Sequence, residues 1–401
     1  MDALAGKPLA SSTHNPSESR RKSLARRRAA KAVGSSRSSV RKRGSVPAAP
    51  LVPEPHETHS IPGHGARILP AVQVDAYNAE IRDADGFIGD RASRRAFHAI
   101  LEKWRATLRS EGVDPLGKHP TAELNRGKLD KLLVSGDAAV AALLHSAIEE
   151  FAGELASVTR RFLQIKSWHK TEHIVVGGGM RDSRIGQLAI ARAAIMLRAG
   201  GLHLALTPIR HHPDEAGLIG AVQLVPAWVF AGYDAILAAD IGGTNFRVGV
   251  VEFNRSKAGD LRAAKVWESL QWRHANEKPG RDKAMRRLIE MFRELIRRAR
   301  KRKLVLAPLI GIGCPGIVRK DGSILRGGQN LPGNWESDRF NPPAVIGKAI
   351  PKIGREHTVV LMHNDAVVQG LSEAPFMRDA KRWGVLTIGT GLGNARFTNR
   401  T

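Results

Sequence analysis

Short apolar runs alternate along the chain with longer stretches in which apolar residues recur every three or four positions. Short runs bounded by glycine, proline or asparagine predict β-strands, and the three-to-four spacing predicts amphipathic helices. The segments with strand-like patterns are HIVVGGGM, LHLALTPI, APLIGIGCPG and HTVVLMHN. Helical patterns lie between them, the longest over residues 137–165. This alternation, from about residue 65 onward, predicts layered α/β architecture.

Two further segments have the pattern of a strand, a glycine-containing turn and a second strand. They are ILAADIGGTNFRVGVVEF at 236–253 and WGVLTIGTGLGNARFTN at 383–399. A turn of bare glycine backbone lets N–H groups approach a phosphate closely, because no β-carbon intervenes. Each hairpin alone is a weak signal, since glycine turns are common. No G-x-x-x-x-G-K-[ST] motif is present, which excludes the P-loop class.

The most continuous apolar segment is AGLIGAVQLVPAWVFAGY at 216–233. Its length approaches that of a membrane span, but it contains one proline and three glycines. These residues disfavour a spanning helix. The segment predicts a buried helix that runs into a buried strand, and no membrane partner is expected.

Composition limits the classes of protein. The chain has 401 residues, of which 42% are hydrophobic, enough for two domains that each have a core. Its one cysteine, Cys314, excludes a disulfide framework and a cysteine-rich zinc site, and is expected to be a small buried residue. No secretory signal is evident at the N-terminus, so a cytoplasmic location is expected.

Positive charge is concentrated at the N-terminus. The formal net charge is +25, and residues 1–46 hold twelve Lys or Arg against Asp2 and Glu18. This Ser/Arg-rich segment has almost no large apolar residues, so it is expected to be a disordered tail. The Pro-rich stretch VPAAPLVPEPHETHSIPGHG reads as a linker. A tail of this kind attracts polyanions without sequence preference.

Six motifs taken together are far more specific than any one of them. These are HIVVGGGM, DEAGLIGA, DIGGTNFRVGVV, GIGCPGIV with GGQNLPGNW, HNDA, and GVLTIGTGLGNA. Over roughly residues 85–400 the set resembles the ROK family of sugar kinases and repressors. The resemblance implies an α/β, two-lobed, actin-like ATPase (ribonuclease H-like) fold.

The motifs stand in a different order from that of the family. ROK kinases begin with the first phosphate hairpin and end with the adenosine segment, whereas here HIVVGGGM precedes DIGGTN. We interpret this order as a circular permutation; a fusion of two fragments is the alternative. The predicted division is a tail and linker at 1–60, an adenosine-side lobe at 61–232, and a first-phosphate and sugar-side lobe at 233–375. Residues 376–401 form the second-phosphate hairpin, which belongs to the adenosine-side lobe.

The resemblance implies a glucokinase-like hexose kinase that uses Mg²⁺ and ATP, with a glucose-like acceptor. Asp365 would be the catalytic base, although an acid that opens a helix is also explained as a helix N-cap. Asp240 would hold Mg²⁺ through water. The binding residues that the resemblance implies are, for phosphate, Gly242, Gly243, Thr244, Gly389, Thr390 and Gly391; for adenosine, Gly177, Gly178 and Gly179; and for sugar, Asn330, Asn364, Asp365 and His64.

The chain also departs from the family pattern. The family's cysteine-rich zinc site maps to residues 60–90, which contain no cysteine, so no zinc is expected. Ile61 and Gly89 stand where the family has sugar-side acids. Two other functions stay open: a sugar-binding regulator, and a non-catalytic nucleotide-binding protein, the latter suggested by Asn394 and Ala395 where relatives often carry glycine. The regulators carry an N-terminal helix-turn-helix that is not seen here. ATP versus polyphosphate as donor, and a homo-oligomeric state, also stay open.

Overall fold

The computed structural model describes residues 60–400, so the predicted tail at 1–46 lies outside the described residues. The strands are β1 (Val72–Tyr77), β2 (Arg82–Asp83), β3 (Gly86–Phe87), β4 (His173–Gly177), β5 (Ala205–Pro208), β6 (Ala235–Ile241), β7 (Phe246–Glu252), β8 (Lys265–Trp272), β9 (Leu306–Cys314), β10 (Lys352–Ile353), β11 (Glu356–His357), β12 (Val359–Asn364), β13 (Arg382–Ile388) and β14 (Leu392–Asn399). The helices are α1 (Arg94–Ser110), α2 (Arg126–Ser135), α3 (Ala138–Gln164), α4 (Arg184–Ala199), α5 (Pro213–Gly220), α6 (Arg281–Lys301), α7 (Pro342–Ala349) and α8 (Asp365–Leu371).

Ten of the strands form two five-stranded sheets. Sheet I has the order β1-β14-β13-β4-β5, and sheet II has the order β8-β7-β6-β9-β12. In each sheet the first three strands pair antiparallel with one another, and the fourth and fifth strands run parallel to the third. The two sheets therefore have the same topology, a repeat that the sequence did not reveal.

The chain passes through the two sheets in different orders. Sheet II is built in chain order, as β6, β7, β8, β9 and β12. The strands at the equivalent places in sheet I are, in the same order, β13, β14, β1, β4 and β5. The first of these along the chain is β1, so the chain enters sheet I at the third place in this order. The strands of sheet I therefore come from residues 72–208 and 382–399, and those of sheet II from residues 235–364. The predicted lobe boundaries stay predictions.

Helices α5 and α8 occupy equivalent places, because each follows the fifth strand of its sheet. They pack against each other within a core that includes Leu218, Val222, Val368 and Leu371. A β-carbon at Gly220 would overlap the carbonyl oxygen of Val368, so glycine is what lets the helices cross this closely. Residues Val385 and Phe397 of sheet I and Ile236 and Ala238 of sheet II line the same core.

Most of the predicted elements are confirmed. The long helix predicted over 137–165 is α3, both glycine hairpins form, and the strand-to-helix pattern of HTVVLMHNDAVVQGLSE is β12 followed by α8. Cys314 is fully buried. The N-cap of α5 is His212, whose side chain accepts the Asp214 N–H.

The prediction for residues 216–233 is wrong in its second half. Helix α5 continues into a 3₁₀ turn, and the residues after Pro226 form a second 3₁₀ turn, Ala227–Phe230, in place of a strand. Proline fixes φ and removes an N–H that a central strand would need. The backbone of Gly232 has φ +82°, which turns the chain before β6 begins at Ala235. In residues 60–400 no helix is long and apolar enough to cross a membrane.

Candidate active site

The two glycine turns, which belong to different sheets, touch each other. The turn between β6 and β7 is closed by a 2.9 Å hydrogen bond from the Gly242 N–H to the Asn245 carbonyl. The turn between β13 and β14 is closed in the same way, from the Gly389 N–H to the Gly391 carbonyl, also at 2.9 Å. The hydroxyls of Thr244 and Thr390 are 3.3 Å apart. One ligand could therefore be held by both turns.

The glycines of the two turns have different surroundings. A β-carbon at Gly243 would lie 2.9 Å from the β-carbon of Asn330, so glycine lets the segment that carries this predicted sugar-binding residue approach the first turn. By contrast, a β-carbon at Gly391 would meet no other atom within 4 Å. The bare backbone at Gly391 therefore faces open space, as an anion-binding turn requires.

The predicted adenosine segment lies beside the second turn. Strand β4 ends at Gly177, and its neighbour in sheet I is β13. Gly178 has φ +84°, and a β-carbon there would collide with the backbone of Ile388, one residue before Gly389. Only glycine satisfies both conditions. The carbonyl of Gly179 accepts a hydrogen bond from Arg126.

Arginines that the sequence analysis did not single out surround the turns. The backbone N–H of Arg94 donates to the Gly389 carbonyl, and Nε of Arg95 donates to the Thr390 carbonyl, at 3.1 and 3.0 Å. Burial lowers the pKa of Arg94, and the charges of Arg126 and Arg273 lower it further. Cations that repel one another beside backbone turns are stabilised by an anion with several charges.

Two carboxylates lie close together below the turns. Asp240 is next to last in β6, and Asp365 follows β12; these strands flank β9 on either side. Burial raises the pKa of Asp365 to about 7, and the charge of Asp240 adds to the rise. Burial also raises the pKa of Asp240, against the opposing effect of Arg247, whose Nη1 lies 3.4 Å from Oδ2. A carboxylate poised near neutral pH is suited to proton transfer.

The N-cap of α8 is Asn364, not Asp365. Its side-chain oxygen accepts the N–H groups of Ala366 and Val367, at 3.0 and 3.2 Å. Its amide nitrogen donates to the Gly316 carbonyl at 3.1 Å, and the residue is 1% exposed. Oδ1 of Asp365 also accepts the Ala366 N–H, at 2.9 Å, so both side chains contact the start of α8. The sugar-binding role of Asn364 stays a prediction beside this structural one.

Both other predicted sugar-binding residues border sheet II. Asn330 is exposed and contacts Gly243. Nδ1 of His64 accepts the Met362 N–H at 3.2 Å, on the free edge of β12. Its ring also lies close to Gly322. The structure thus brings Asn330 to the first turn and places His64 along the strand that leads to Asp365.

Two buried side-chain oxygens near the turns have no hydrogen-bond partner in residues 60–400. They are Oδ1 of Asn245, in the first turn, and Oε1 of Gln369, one helical turn after Asp365. A β-carbon on Gly177 would lie 3.4 Å from the Gln369 oxygen. An unsatisfied buried acceptor costs about 1–3 kcal/mol. A ligand with hydroxyl or amino groups could supply the missing donors.

The residues present fit a Mg²⁺ ion carried in with a nucleotide. Mg²⁺ keeps several waters and is usually held by one or two carboxylates together with substrate phosphates. Asp240 and Asp365 supply two oxygen-donor groups, and a cation would offset the burial of both. In the part of the chain that the structure describes, no cluster of three or more His, Cys, Asp or Glu side chains is placed to hold a metal ion on its own.

Salt bridges and packing hold the segment where the resemblance would place a zinc site. Nη2 of Arg91 lies 2.7 Å from Asp83 and 2.8 Å from Asp85, and the ring of Phe87 packs over Gly89. We expect chelators to leave the melting temperature unchanged, because these contacts need no metal. Thermal denaturation with and without 1,10-phenanthroline tests this, with metal analysis alongside. A melting temperature that falls on chelation, with about one zinc per chain, would contradict it.

Two sheets of shared topology, with one glycine turn from each meeting beside buried acids, are consistent with the actin-like ATPase fold. In sequence the chain resembles sugar kinases of the ROK family, which confirms the resemblance predicted from its motifs. It is 28% identical over 166 residues to glucokinase of Thermotoga maritima, covering 41% of this chain and 44% of the relative. The chain thus matches about half the length of that curated relative. No family model matches the chain.

Solved structures of sugar kinases also match part of the chain. The ROK hexokinase from Thermus thermophilus is 22% identical, with 40% of this chain and 45% of that chain covered and a TM-score of 0.27. A Cytophaga hutchinsonii protein described as a proposed sugar kinase is 19% identical, with 41% and 48% covered and a TM-score of 0.31.

Proposed function

We propose that this chain is an ATP-dependent hexose kinase that transfers the γ-phosphoryl group to a hydroxyl of a glucose-like sugar. The observation that carries the proposal is the contact between Thr244 and Thr390, with Asp365 close by at the start of α8. Gly393, which follows the second turn, lies against Ala366, so Asp365 is adjacent to that turn. The resemblance to glucokinase supports the same chemistry.

The donor's phosphates would lie between the two turns, in place of the direct hydroxyl contact. Phosphoryl transfer depends mainly on positioning and on stabilising negative charge. Backbone N–H groups at the turns and the side chains of Arg94, Arg126 and Arg273 supply that stabilisation. When bound, Mg²⁺ neutralises charge on the β- and γ-phosphates. Asp240 would hold it through water, which leaves Asp365 available as the base.

Asp365 would take the proton from the attacking sugar hydroxyl. Its pKa of about 7 leaves it substantially ionised at neutral pH and still basic enough to accept a proton. Asn330, which lies beside Gly243, and Asn364, which donates to the Gly316 carbonyl, would both hold the sugar. His64 would act from the edge of β12.

We also propose that the fold is circularly permuted with respect to the ROK kinases. Support comes from the topology: sheet II is built in chain order, whereas sheet I is entered at its third position. Joining the chain after β14 to β1 and opening it before β6 would make both sheets sequential. The partial match to glucokinase agrees, because one linear alignment spans only one half of a permuted pair. A fusion of two fragments would not be expected to give one complete set of motifs.

Asn394, which suggested a non-catalytic protein, has a structural explanation. Its side chain accepts the Ala79 N–H at 2.9 Å and donates to the Ala79 carbonyl at 3.0 Å, and it is 1% exposed. It therefore anchors the loop after β1 and does not face a ligand. No observation of the described residues then favours the non-catalytic alternative over the enzyme.

A coupled assay tests the proposal. We expect Mg²⁺-dependent formation of ADP with glucose or a related hexose across a panel of sugars, and little ADP without sugar. Inorganic polyphosphate serves as the alternative donor in a parallel series. Absence of turnover with every sugar and both donors, together with sugar-dependent binding to DNA or protein, would overturn the kinase and favour a regulator.

A further inference from the structure

A second basic site lies far from the glycine turns. An open groove of about 800 Å³ is lined by nine residues, of which five are Lys or Arg and one is an acid. The cations are Arg67, Lys166, Lys170, Arg382 and Arg396. Asp75, Ser167, His169 and Thr398 complete the lining. We refer to these nine residues as the basic groove.

The acid of the basic groove is already neutralised. Asp75 forms a salt bridge with Arg396, and its Oδ2 also accepts the Thr398 hydroxyl at 2.7 Å. The nearby Glu172 accepts the backbone N–H of Lys381 at 3.0 Å. The structure shows no salt bridge for the other four cations of the groove, so most of its positive charge is unpaired within residues 60–400.

The buried cation Arg396 is incompletely satisfied. Its side chain is 6% exposed, and its Nη atoms donate to Asp75, Thr398 and the His169 carbonyl. Its Nε is buried and has no partner in the described chain. Burying a guanidinium donor without an acceptor is costly, and an oxygen of a bound ligand would offset that cost.

The basic groove is separate from the candidate active site. Arg382 begins β13, and the turn that carries Thr390 follows the other end of the strand. Six residues of strand at about 3.3 Å each put the two roughly 20 Å apart. A ligand in the groove would therefore not be the substrate held at the turns.

We propose that the basic groove binds a small anion with several phosphate groups, independently of the kinase site. Arg and Lys together suit such a ligand, because guanidinium groups bind phosphate through two parallel hydrogen bonds and ammonium groups add compact charge. A concave space of this volume is the size of small-molecule sites. A surface that binds nucleic acid would instead present its basic residues as a longer stripe.

The test uses inorganic triphosphate as probe and hydrogen–deuterium exchange as the local readout. On the full chain, we expect triphosphate to protect peptides that cover 166–170 and 394–399, separately from any protection at the glycine turns. The variant Lys170→Gln/Arg382→Gln should weaken binding at these peptides by about tenfold or more. Both side chains lie outside the core, whereas a substitution of Arg396 could unfold the protein.

Two controls make the result specific. Lys348→Gln/Lys352→Gln removes the same charge from exposed positions on sheet II's side, and should change the apparent affinity by less than about twofold. Arg94→Gln should leave protection of the groove intact. Equal loss in both double variants, no protection in the wild type, or stronger protection by single-stranded DNA at equal phosphate concentration would each overturn the proposal.

Discussion

Replacing Asp365 with asparagine is expected to lower kcat for hexose phosphorylation by about 10²–10⁴-fold. Asparagine keeps the shape and one hydrogen-bonding oxygen but cannot accept the sugar's proton. Helix α8 should stay intact, because Asn364 is its cap. Steady-state kinetics measure the loss, and calorimetry with the sugar should show binding broadly retained.

The same substitution should stabilise the protein above neutral pH. The pKa of Asp365 is raised to about 7 in the folded state, from 3.8. Folding is therefore penalised increasingly as pH rises from about 4 to 7, and at pH 8 the full penalty is present. Removing the charge should then gain roughly 2–4 kcal/mol at pH 8 and little at pH 4. Denaturant unfolding at both pH values measures this independently of activity.

The pH profile provides a third readout. The wild-type kcat/KM should fall about tenfold per pH unit below about 7, as Asp365 becomes protonated. The residual activity of Asp365→Asn should lack that acidic limb. Asp338→Asn, the same change at a carboxylate that is 83% exposed, should alter none of the three measurements. A variant at position 365 that keeps kcat within about threefold of wild type would remove the catalytic role.

The second large effect is expected at the crossing of α5 and α8. Gly220→Ala should destabilise the protein by about 3 kcal/mol, because the added methyl group overlaps the Val368 carbonyl and lies 3.0 Å from the Ser372 nitrogen. The backbone at Gly220 is ordinary right-handed helix, with φ −60° and ψ −26°, so the effect is one of packing alone. Urea unfolding measures the loss.

A matched control comes from a glycine with free space. Gly153 lies inside α3, and a β-carbon there meets no atom within 4 Å. Gly153→Ala should therefore be neutral or stabilise by about 0.5–1 kcal/mol. Because α8 begins with Asp365, Gly220→Ala should also lower kcat in protein that remains folded. A Gly220→Ala variant as stable as wild type would mean that the two helices do not cross as described.

The elements near the turns were predictable because their signals are local. A buried strand such as Ile236–Asp240 is predicted directly from its apolar run, and the turn after it is predicted from the glycines of that turn. Strand β1 was not predicted: it offers only Val72 and Val74 on its buried face, and its other residues are polar or partly exposed. Its place in the sheet comes from pairing with β14, a contact that no local pattern encodes.

The sequence predicted the motifs of the candidate site but not the arginines that surround its turns. Motif spacing brought attention to Asp240 and Asp365, but the arginines around the turns come from unrelated segments. Arg94 begins one helix, Arg126 begins another, and Arg273 follows β8. Exposed arginines are common in so basic a chain, so nothing in the sequence distinguishes these three. Likewise, only the structure shows that Asn364 is the N-cap of α8 and that Asp365 is its first helical residue.

The order in which sheet I is entered also bears on how the protein folds. Strands β14 and β13 are second and third across that sheet, yet they follow every other strand of the described chain. Val72 pairs with Asn399, 327 positions later, whereas sheet II closes within residues 235–364. Contacts of such long separation slow folding, since the loop entropy is lost before they form. As the chain is synthesised, sheet II can therefore assemble early, while β1 and the edge of β4 that faces away from β5 stay unpaired until β13 and β14 are made.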